Sequence, residues 1–400
     1  MSATAGSDSA PGDAPGAPGA PDAPDAPGAP DAPGAPGAPG APEASRARDL
    51  TDLELPDLEA ALTELGAPPF HARQIYRWVY RRGVTDFARM TDLPLPLRTR
   101  LAAAFAVPTP SVLERARSTD GTVKFRLGLG DGRGVEAVFI PDTPAKTFCV
   151  STQVGCAMQC GFCLTGRMGL ARNLTAGEIA GQVRVMAHDL ALADRPFNVV
   201  LMGMGEPLHN YEPTMRALRM LAAECGLAVP PRRITLSTVG VLPGIARLAT
   251  EPIMPNLAVS LHAATEELRE RLVPLGRKYP LADLLAACRR FPVERRGRIT
   301  FEYVLLDGVN DAPADARRLA RLLRGIRSKV NVIPLNEAPG IPYRRPPDAR
   351  IDAFGRALAA AGVRVSVRKS RGRDIRAACG QLILEGALPS AGQRMAARLR

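Results

Sequence analysis

Residues 149–163 read CVSTQVGCAMQCGFC and hold four of the chain's seven cysteines. Three of these, Cys156, Cys160 and Cys163, stand at C-x3-C-x2-C spacing; the fourth, Cys149, lies seven residues upstream of the trio. Three thiolates on one loop can hold three irons of a [4Fe–4S] cube and leave the fourth iron open to a small molecule. A structural zinc site instead needs four protein ligands, commonly in C-x2-C pairs, and no second Cys or His pair follows here. A further cysteine stands far downstream, in Ala377-Ala378-Cys379-Gly380. Clustered thiols in odd number suit a metal site in a reducing, cytoplasmic setting better than an extracellular disulfide framework.

The sequence around the loop indicates the fold that carries it. Strand-like runs at 148–154, 198–203, 233–239, 256–262, 299–305, 329–335 and 363–368 alternate with helix-like runs. The first helix opens on Thr175-Ala-Gly-Glu178, a capping box, and others follow at 214–225, 266–272, 281–290, 314–326 and 348–361. Strands alternating with helices over some two hundred residues predict an α/β fold, a parallel sheet covered by helices. An open doubly wound sheet and a barrel share that pattern. The unusual residues fall at strand C-terminal ends, where barrel enzymes build their sites, and this favours the barrel.

Upstream, 111–145 reads as a β ribbon, with alternation in Thr122-Val-Lys-Phe125 and Gly134-Val-Glu136 about a glycine-rich turn. Residues 46–110 read as a small helical module, in which Arg73, Arg77, Arg81 and Arg82 line one face of the segment from His71 to Tyr80. Residues 1–45 repeat Ala, Pro, Gly and Asp and carry neither Lys nor Arg. Such a segment buries too little apolar surface to order itself, so a disordered tail of polyproline II character is expected. It lacks the charged and apolar regions of a secretory signal and the strict glycine period of collagen. The whole chain of 400 residues carries 52 Lys and Arg against 40 Asp and Glu. Every basic residue follows residue 45 while six acids precede it, so the positive surplus belongs to the folded part and favours a polyanion such as nucleic acid. No apolar run reaches the roughly 20 residues of a membrane helix.

Phe162, the aromatic residue before Cys163, completes C-x3-C-x-aromatic-C, which resembles the signature of the radical S-adenosylmethionine (SAM) superfamily. Further stretches narrow the likeness: N-V-V-L-M-G-M-G-E-P-L from Asn198, L-S-T-V-G from Leu236, A-V-S-L-H-A from Ala258, N-V-I-P-L-N from Asn331 and V-R-K-S-R-G-R-D-I-R-A-A-C-G-Q-L from Val367. Together they resemble the bacterial dual-specificity methyltransferases that modify carbon 2 of adenine in 23S rRNA and tRNA. The likeness covers roughly residues 50 to 398. A sister family that methylates carbon 8 of the same rRNA adenine shares the cysteines.

The resemblance implies a partial (βα)6-type barrel over 146–370 and a C-terminal segment, 371–400, that carries a methyl-bearing cysteine. It implies one [4Fe–4S] cluster on Cys156, Cys160 and Cys163. It also implies SAM contacts from Phe162, Gly205, Glu206, Ser237, Ser260, Leu261, His262 and Asn336, with the Gly205-Glu206 segment at the methionyl amino group. In the family one SAM methylates a cysteine, here Cys379, and a second yields a radical that activates this methyl for addition to adenine. Glu136 matches the proton acceptor. Cys149 matches the resolving cysteine, which releases the product through a transient Cys149–Cys379 disulfide. Two SAM are consumed per turnover, an electron donor such as flavodoxin or ferredoxin is implied, and we expect a monomer. Read without the family, Cys379 lies in a basic run between Gly372 and Gly380, a setting for a reactive, movable thiol. Cys225 and Cys288, on apolar helical faces, read as inert. The Arg-rich stretch 364–376 and the helix near Arg77 are expected to meet phosphates of an RNA recognised by shape and by an unstacked adenine. A non-catalytic iron–sulfur RNA-binding sensor would explain the charge and the trio but leaves Cys149, Cys379 and the G-M-G-E-P segment without purpose.

Overall fold

A computed structural model describes residues 47–141, 146–293 and 297–384. The expected disordered tail (1–45) and the end of the C-terminal segment (385–400) lie outside the described residues.

Among the described residues the main sheet has ten strands. In chain order they are β1 (Ser111–Arg117), β2 (Val123–Gly128), β3 (Gly134–Ile140), β4 (Thr147–Cys149), β5 (Asn198–Leu201), β6 (Ile234–Thr238), β7 (Asn256–Ser260), β8 (Ile299–Leu305), β9 (Ser328–Pro334) and β10 (Val365–Val367). From β4 to β10 every neighbour pair is parallel and each strand pairs with the next in sequence. A doubly wound sheet reverses its strand order at a switch point. No reversal occurs here, so the seven strands expected as a barrel wall curl one way, as an open barrel does. All seven appear where the alternation placed them, five of them shorter than the apolar run and the strands at Ile299–Leu305 and Ser328–Pro334 equal to it in length.

The ribbon is larger than its two alternating runs suggested. β1, β2 and β3 form an antiparallel meander, and β3 pairs antiparallel with β4. It therefore extends the barrel sheet rather than linking two bodies. Ser111–Arg117 escaped notice because its side chains are exposed or half-buried throughout, leaving no apolar alternation to read.

The N-terminal module is α1 (Leu55–Glu64), α2 (His71–Tyr76) and α3 (Leu95–Ala104). The pattern through Tyr80 predicts one continuous α-helix, but its last turn widens into a π turn over Arg77–Arg81. That turn still faces Val79 and Tyr80 inward and leaves Arg73, Arg77, Arg81 and Arg82 exposed. The barrel wall carries α4 (Leu164–Met168), α5 (Ala176–Asp189), α6 (Tyr211–Ala222), α7 (Leu242–Leu248), α8 (Glu266–Leu272), α9 (Leu281–Arg290), α10 (Pro313–Leu322) and α11 (Asp348–Ala360). The capping box at α5 forms in both directions: Thr175 accepts from the Glu178 amide, and Glu178 accepts from the Thr175 amide. Arg216 and Arg219 of α6 reach across to Glu54 at the start of α1 and fasten the module to the barrel.

One large apolar core runs through module, meander and barrel. A second, smaller cluster holds Cys160, Phe162, Leu272, Val304, Leu306 and Leu335 and lies at the strand ends under the cysteine loop. Apolar packing thus continues right up to the three thiols. Among the described residues no helix is long and apolar enough to cross a membrane.

Candidate active site

Two cavities share a wall at the C-terminal ends of the parallel strands. The first is lined by Cys156, Cys160 and Cys163 on one side and by Glu206, Ser237 and Ser260 on the other. Phe162, Gly205, His262 and Asn336 line it as well. The second is lined by Cys149, Val138, Ile140 and residues of the 366–371 stretch. Cys379, Arg368, Met202 and Asn336 face both.

The trio's thiols are buried or nearly so, and burial pushes Cys156 up to about 12 and raises Cys160 and Cys163. Thiols in such surroundings become thiolates only against a cationic centre, which is the chemistry of a metal ligand. Among the described residues no three His, Cys, Asp or Glu side chains converge tightly enough to hold one metal ion. Cys156, Cys160 and Cys163 all line the one cavity, where three thiolates could hold three irons of a [4Fe–4S] cube.

The remaining wall offers acceptors to a ligand. Glycines 203 and 205 bring backbone to backbone: a Cβ on Gly203 would fall 2.7 Å from the Val150 carbonyl carbon, and one on Gly205 2.6 Å from Gln153 Cβ. This close approach seats Glu206, whose amide donates to Gln153 Oε1 (2.9 Å). Its carboxylate accepts from the Leu208 amide (3.0 Å) and the Val239 amide (2.8 Å), and burial lifts it to about 7. The Ser237 and Ser260 hydroxyls lie 3.4 Å apart. His262 is left-handed (φ 61°), held by Asn310 Nδ2 donating to its carbonyl (2.8 Å). Its Nδ1 accepts from the Val304 amide (3.1 Å), so its proton sits on Nε2, and burial with nearby Arg269 drives it down to about 3. The buried imidazole stands edge-on to Phe162, ring centroids 4.6 Å apart, and its neutral form suits a binding role.

Asn336 Nδ2 donates to the Cys379 carbonyl (3.2 Å), while its Oδ1 is buried without a partner. Glu302 is in the same state: 3 % exposed, one oxygen accepting from Asn331 Nδ2 (3.0 Å), the other unpartnered at the cavity. Buried acceptors without donors are costly unless a ligand supplies them. Ammonium and hydroxyl donors of a SAM molecule would do so, and the residues fit that group.

Cys379 is half-exposed and is held by its neighbours' backbone. The Leu164 amide donates to the Gly380 carbonyl (2.8 Å), Thr165 Oγ1 to the Leu382 carbonyl (2.6 Å), and Gln381 Nε2 to the Glu337 carbonyl (2.8 Å). Arg368 Nη1 lies 3.6 Å from Cys379 Sγ. Cys149 is 7 % exposed on β4, and burial lifts its thiol to about 12, opposed in part by Arg368. The two cysteines face one cavity from opposite elements.

Several expected residues stand differently from the sequence reading. Leu261 is fully buried and faces neither cavity; its amide donates to the Glu302 carbonyl and its carbonyl accepts from Arg269. Glu136 lines neither cavity, although Val138 and Ile140, on the same strand face, line the second. Its Oε1 pairs with Lys124 Nζ at 2.9 Å and its Oε2 accepts from the Ile383 amide at 2.8 Å. Arg368, read from sequence as a phosphate contact, is turned inward to Cys379 instead. Cys288 is buried as expected, whereas Cys225 lies just past the end of α6 and is half-buried. The sequence reading missed Glu302 and Lys124. Glu302 had a signal: it is the one charge in Ile299–Leu305, a strand buried at every position.

Comparison with known proteins places these features in a family. The family model described as the ribosomal RNA large subunit methyltransferase N-terminal domain matches residues 48–107, and that of the radical SAM superfamily matches residues 150–320. A dual-specificity RNA methyltransferase RlmN of Syntrophobacter fumaroxidans is 50% identical over 334 residues, covering 84% of this chain and 97% of its own. The RlmN of Anaeromyxobacter dehalogenans is 49% identical, covering 88% of this chain and 96% of its own. The crystal structure of a radical SAM methyltransferase from Sphaerobacter thermophilus superposes with a TM-score of 0.80 at 50% identity, covering 84% of this chain and 99% of that one.

Proposed function

The chain belongs to the RlmN family of radical SAM RNA methyltransferases, and on that footing we propose that it methylates carbon 2 of an adenine in 23S rRNA and in tRNA, with Cys379 as the carrier of the carbon. The observation that carries the reading is the position of Cys379 on the wall shared by the two cavities, one bounded by the cysteine trio and the other by Cys149.

Cys156, Cys160 and Cys163 would hold a [4Fe–4S] cluster, which when bound supplies the electron that breaks SAM reductively and so provides a carbon radical. Glu206, Ser237, Ser260, His262 and Asn336 would orient SAM beneath the trio. Cys379 Sγ takes up the methyl group by displacement, losing its thiol proton, and the methyl of the resulting thioether gives up one hydrogen atom to that carbon radical. The carbon left on the sulfur bonds to adenine C2, joining protein to RNA. Glu136 takes the C2 proton, and the adduct's unpaired electron would pass to the oxidised iron–sulfur centre that the trio would hold, leaving a closed-shell thioether. Cys149 Sγ then attacks Cys379 Sγ; the carbon–sulfur bond breaks, the carbon keeps the electron pair and takes a proton, and the sulfurs are left as a disulfide. Two electrons restore both thiols.

Arg73, Arg77 and Arg82 of the N-terminal module, with the exposed arginines of 364–376, would meet RNA phosphates. A flavodoxin or ferredoxin as electron donor, and action as a monomer in the cytoplasm, are part of the same proposal. The test is anaerobic reconstitution with SAM, a reductant and RNA, followed by nucleoside mass spectrometry. 2-Methyladenosine is the expected product; 8-methyladenosine, or 5′-deoxyadenosine without any methylated base, would overturn the assignment.

A further inference from the structure

Glu136 sits in β3, a strand buried at all but its ends, and is itself 3 % exposed. Its partner across the meander is Arg126, but that guanidinium is engaged by Glu114 of β1 (3.2 Å). Lys124 is paired with Val138 and so lies diagonal to Glu136 on the same face, the usual reach of a long side chain across two strands. On the β4 side Cys149 pairs with the neighbouring Val138, and the Ser151 hydroxyl is spent on the Glu136 carbonyl (2.6 Å). Among the described residues the carboxylate has two partners, Lys124 Nζ and the Ile383 amide.

These partners differ in one respect. Ile383 is four residues beyond Cys379, on the segment whose movement would carry Cys379 from the first cavity toward a nucleotide or Cys149. When that segment lifts, its amide goes with it. We propose that Lys124 is a positioning residue for Glu136: its ammonium holds the carboxylate as an anion, turned along the face shared with Val138 and Ile140, during the interval when Ile383 is withdrawn.

The inference rests on Glu136 being the proton acceptor. At that step the proton leaves C2 of the alkylated adenine and goes onto a carboxylate oxygen, so only the anion is competent. Burial raises the Glu136 pKa and Lys124 is the chief opposing influence; the Glu114 charge adds to the rise. Removing the ammonium leaves the rise unopposed, so the anion would appear only at higher pH. The acid limb of the proton-removal step then moves upward. Below that limb the reaction stops after carbon–carbon bond formation, and protein stays attached to RNA.

The experiment compares Lys124→Met, Lys124→Arg and Glu136→Gln with the unaltered, cluster-loaded protein on RNA across pH 5.5–9 (roughly the span needed to bracket a perturbed carboxylate). It measures 2-methyladenosine and, by denaturing gel, the protein–RNA adduct. Lys124→Met should shift the acid limb up by about one pH unit and enrich the adduct below it, while Lys124→Arg should restore the profile. Superimposable profiles for Lys124→Met and the unaltered protein would overturn the inference. A Glu136→Gln variant that neither slows methylation nor accumulates adduct would overturn the base assignment beneath it. Accumulation in Glu136→Gln with an unshifted Lys124→Met profile would remove Lys124 alone. Methyl loading on Cys379, read by intact mass, shows that each variant is folded; if Lys124→Met does not load, Lys124→Gln replaces it.

Discussion

The cysteine loop and the C-terminal segment carry sulfur into the same cavity but are built in opposite ways. Apolar packing of Phe162, Leu272, Val304 and Leu335 backs the loop, and a sheet with no unfilled register stands behind it. The segment around Cys379 buries only small or isolated apolar side chains in the main core, Ala377 and Leu382, and is otherwise held by separate hydrogen bonds from Leu164, Thr165, Asn336 and Gln381. Each such bond contributes about 1 kcal/mol net. A cofactor site gains from rigidity, because preformed contacts leave little to reorganise. A carrier gains from being held weakly in several places, because it must leave.

The contrast can be broken most completely at the carrier. Cys379→Ala should reduce RNA methylation below detection while leaving iron content unchanged, measured by mass spectrometry of the RNA and by metal analysis; residual methylation would mean that another atom carries the carbon. Next in size, Cys149→Ala should cut multiple turnover at least 100-fold (about 2.7 kcal/mol at tenfold per 1.36 kcal/mol) and leave a slow-migrating protein–RNA band. A variant with normal turnover would take Cys149 out of the release step. On the rigid side, Glu302→Gln should weaken SAM binding about tenfold by calorimetry, or about 1.4 kcal/mol, because the unpartnered oxygen loses its charge. Unchanged affinity would mean that no ligand donor reaches Glu302. The smallest effect belongs to the tether: Thr165→Val removes one bond to Leu382 and should speed alkylation of Cys379 by a soluble reagent about fivefold. An unchanged rate would place the opening of the segment elsewhere.

Much of the rigid region was legible in the sequence, because rigid structure repeats. Seven apolar runs alternating with helical ones yield seven parallel strands, and a three-cysteine spacing yields three thiols on one cavity. Polar residues at strand ends, Ser237, Ser260 and His262, all reach that cavity. Leu261 does not, since its neighbours' turn to the ligand sends its own side chain to the core. The movable region was less legible, because what holds it is sparse and distant in sequence. Nothing local in Gly380-Gln381-Leu382-Ile383 announces that its backbone answers to Leu164, Thr165 and Glu136, more than 200 residues upstream. Arg368 stands among other arginines, and only the fold shows that it turns toward sulfur. Ser111–Arg117 shows the same limit in the sheet, where a solvent-facing strand has no apolar period to betray it.

Cys149 is paired through its backbone to Val138 on one side and Val200 on the other, in the middle of the sheet. One sulfur of the proposed couple is therefore anchored, and on that proposal their encounter is governed by the stretch of chain that delivers the other. Its length and stiffness set the effective concentration of Cys379 at Cys149. A residue inserted or deleted between β10 and Cys379 would retime product release without altering a single reacting atom.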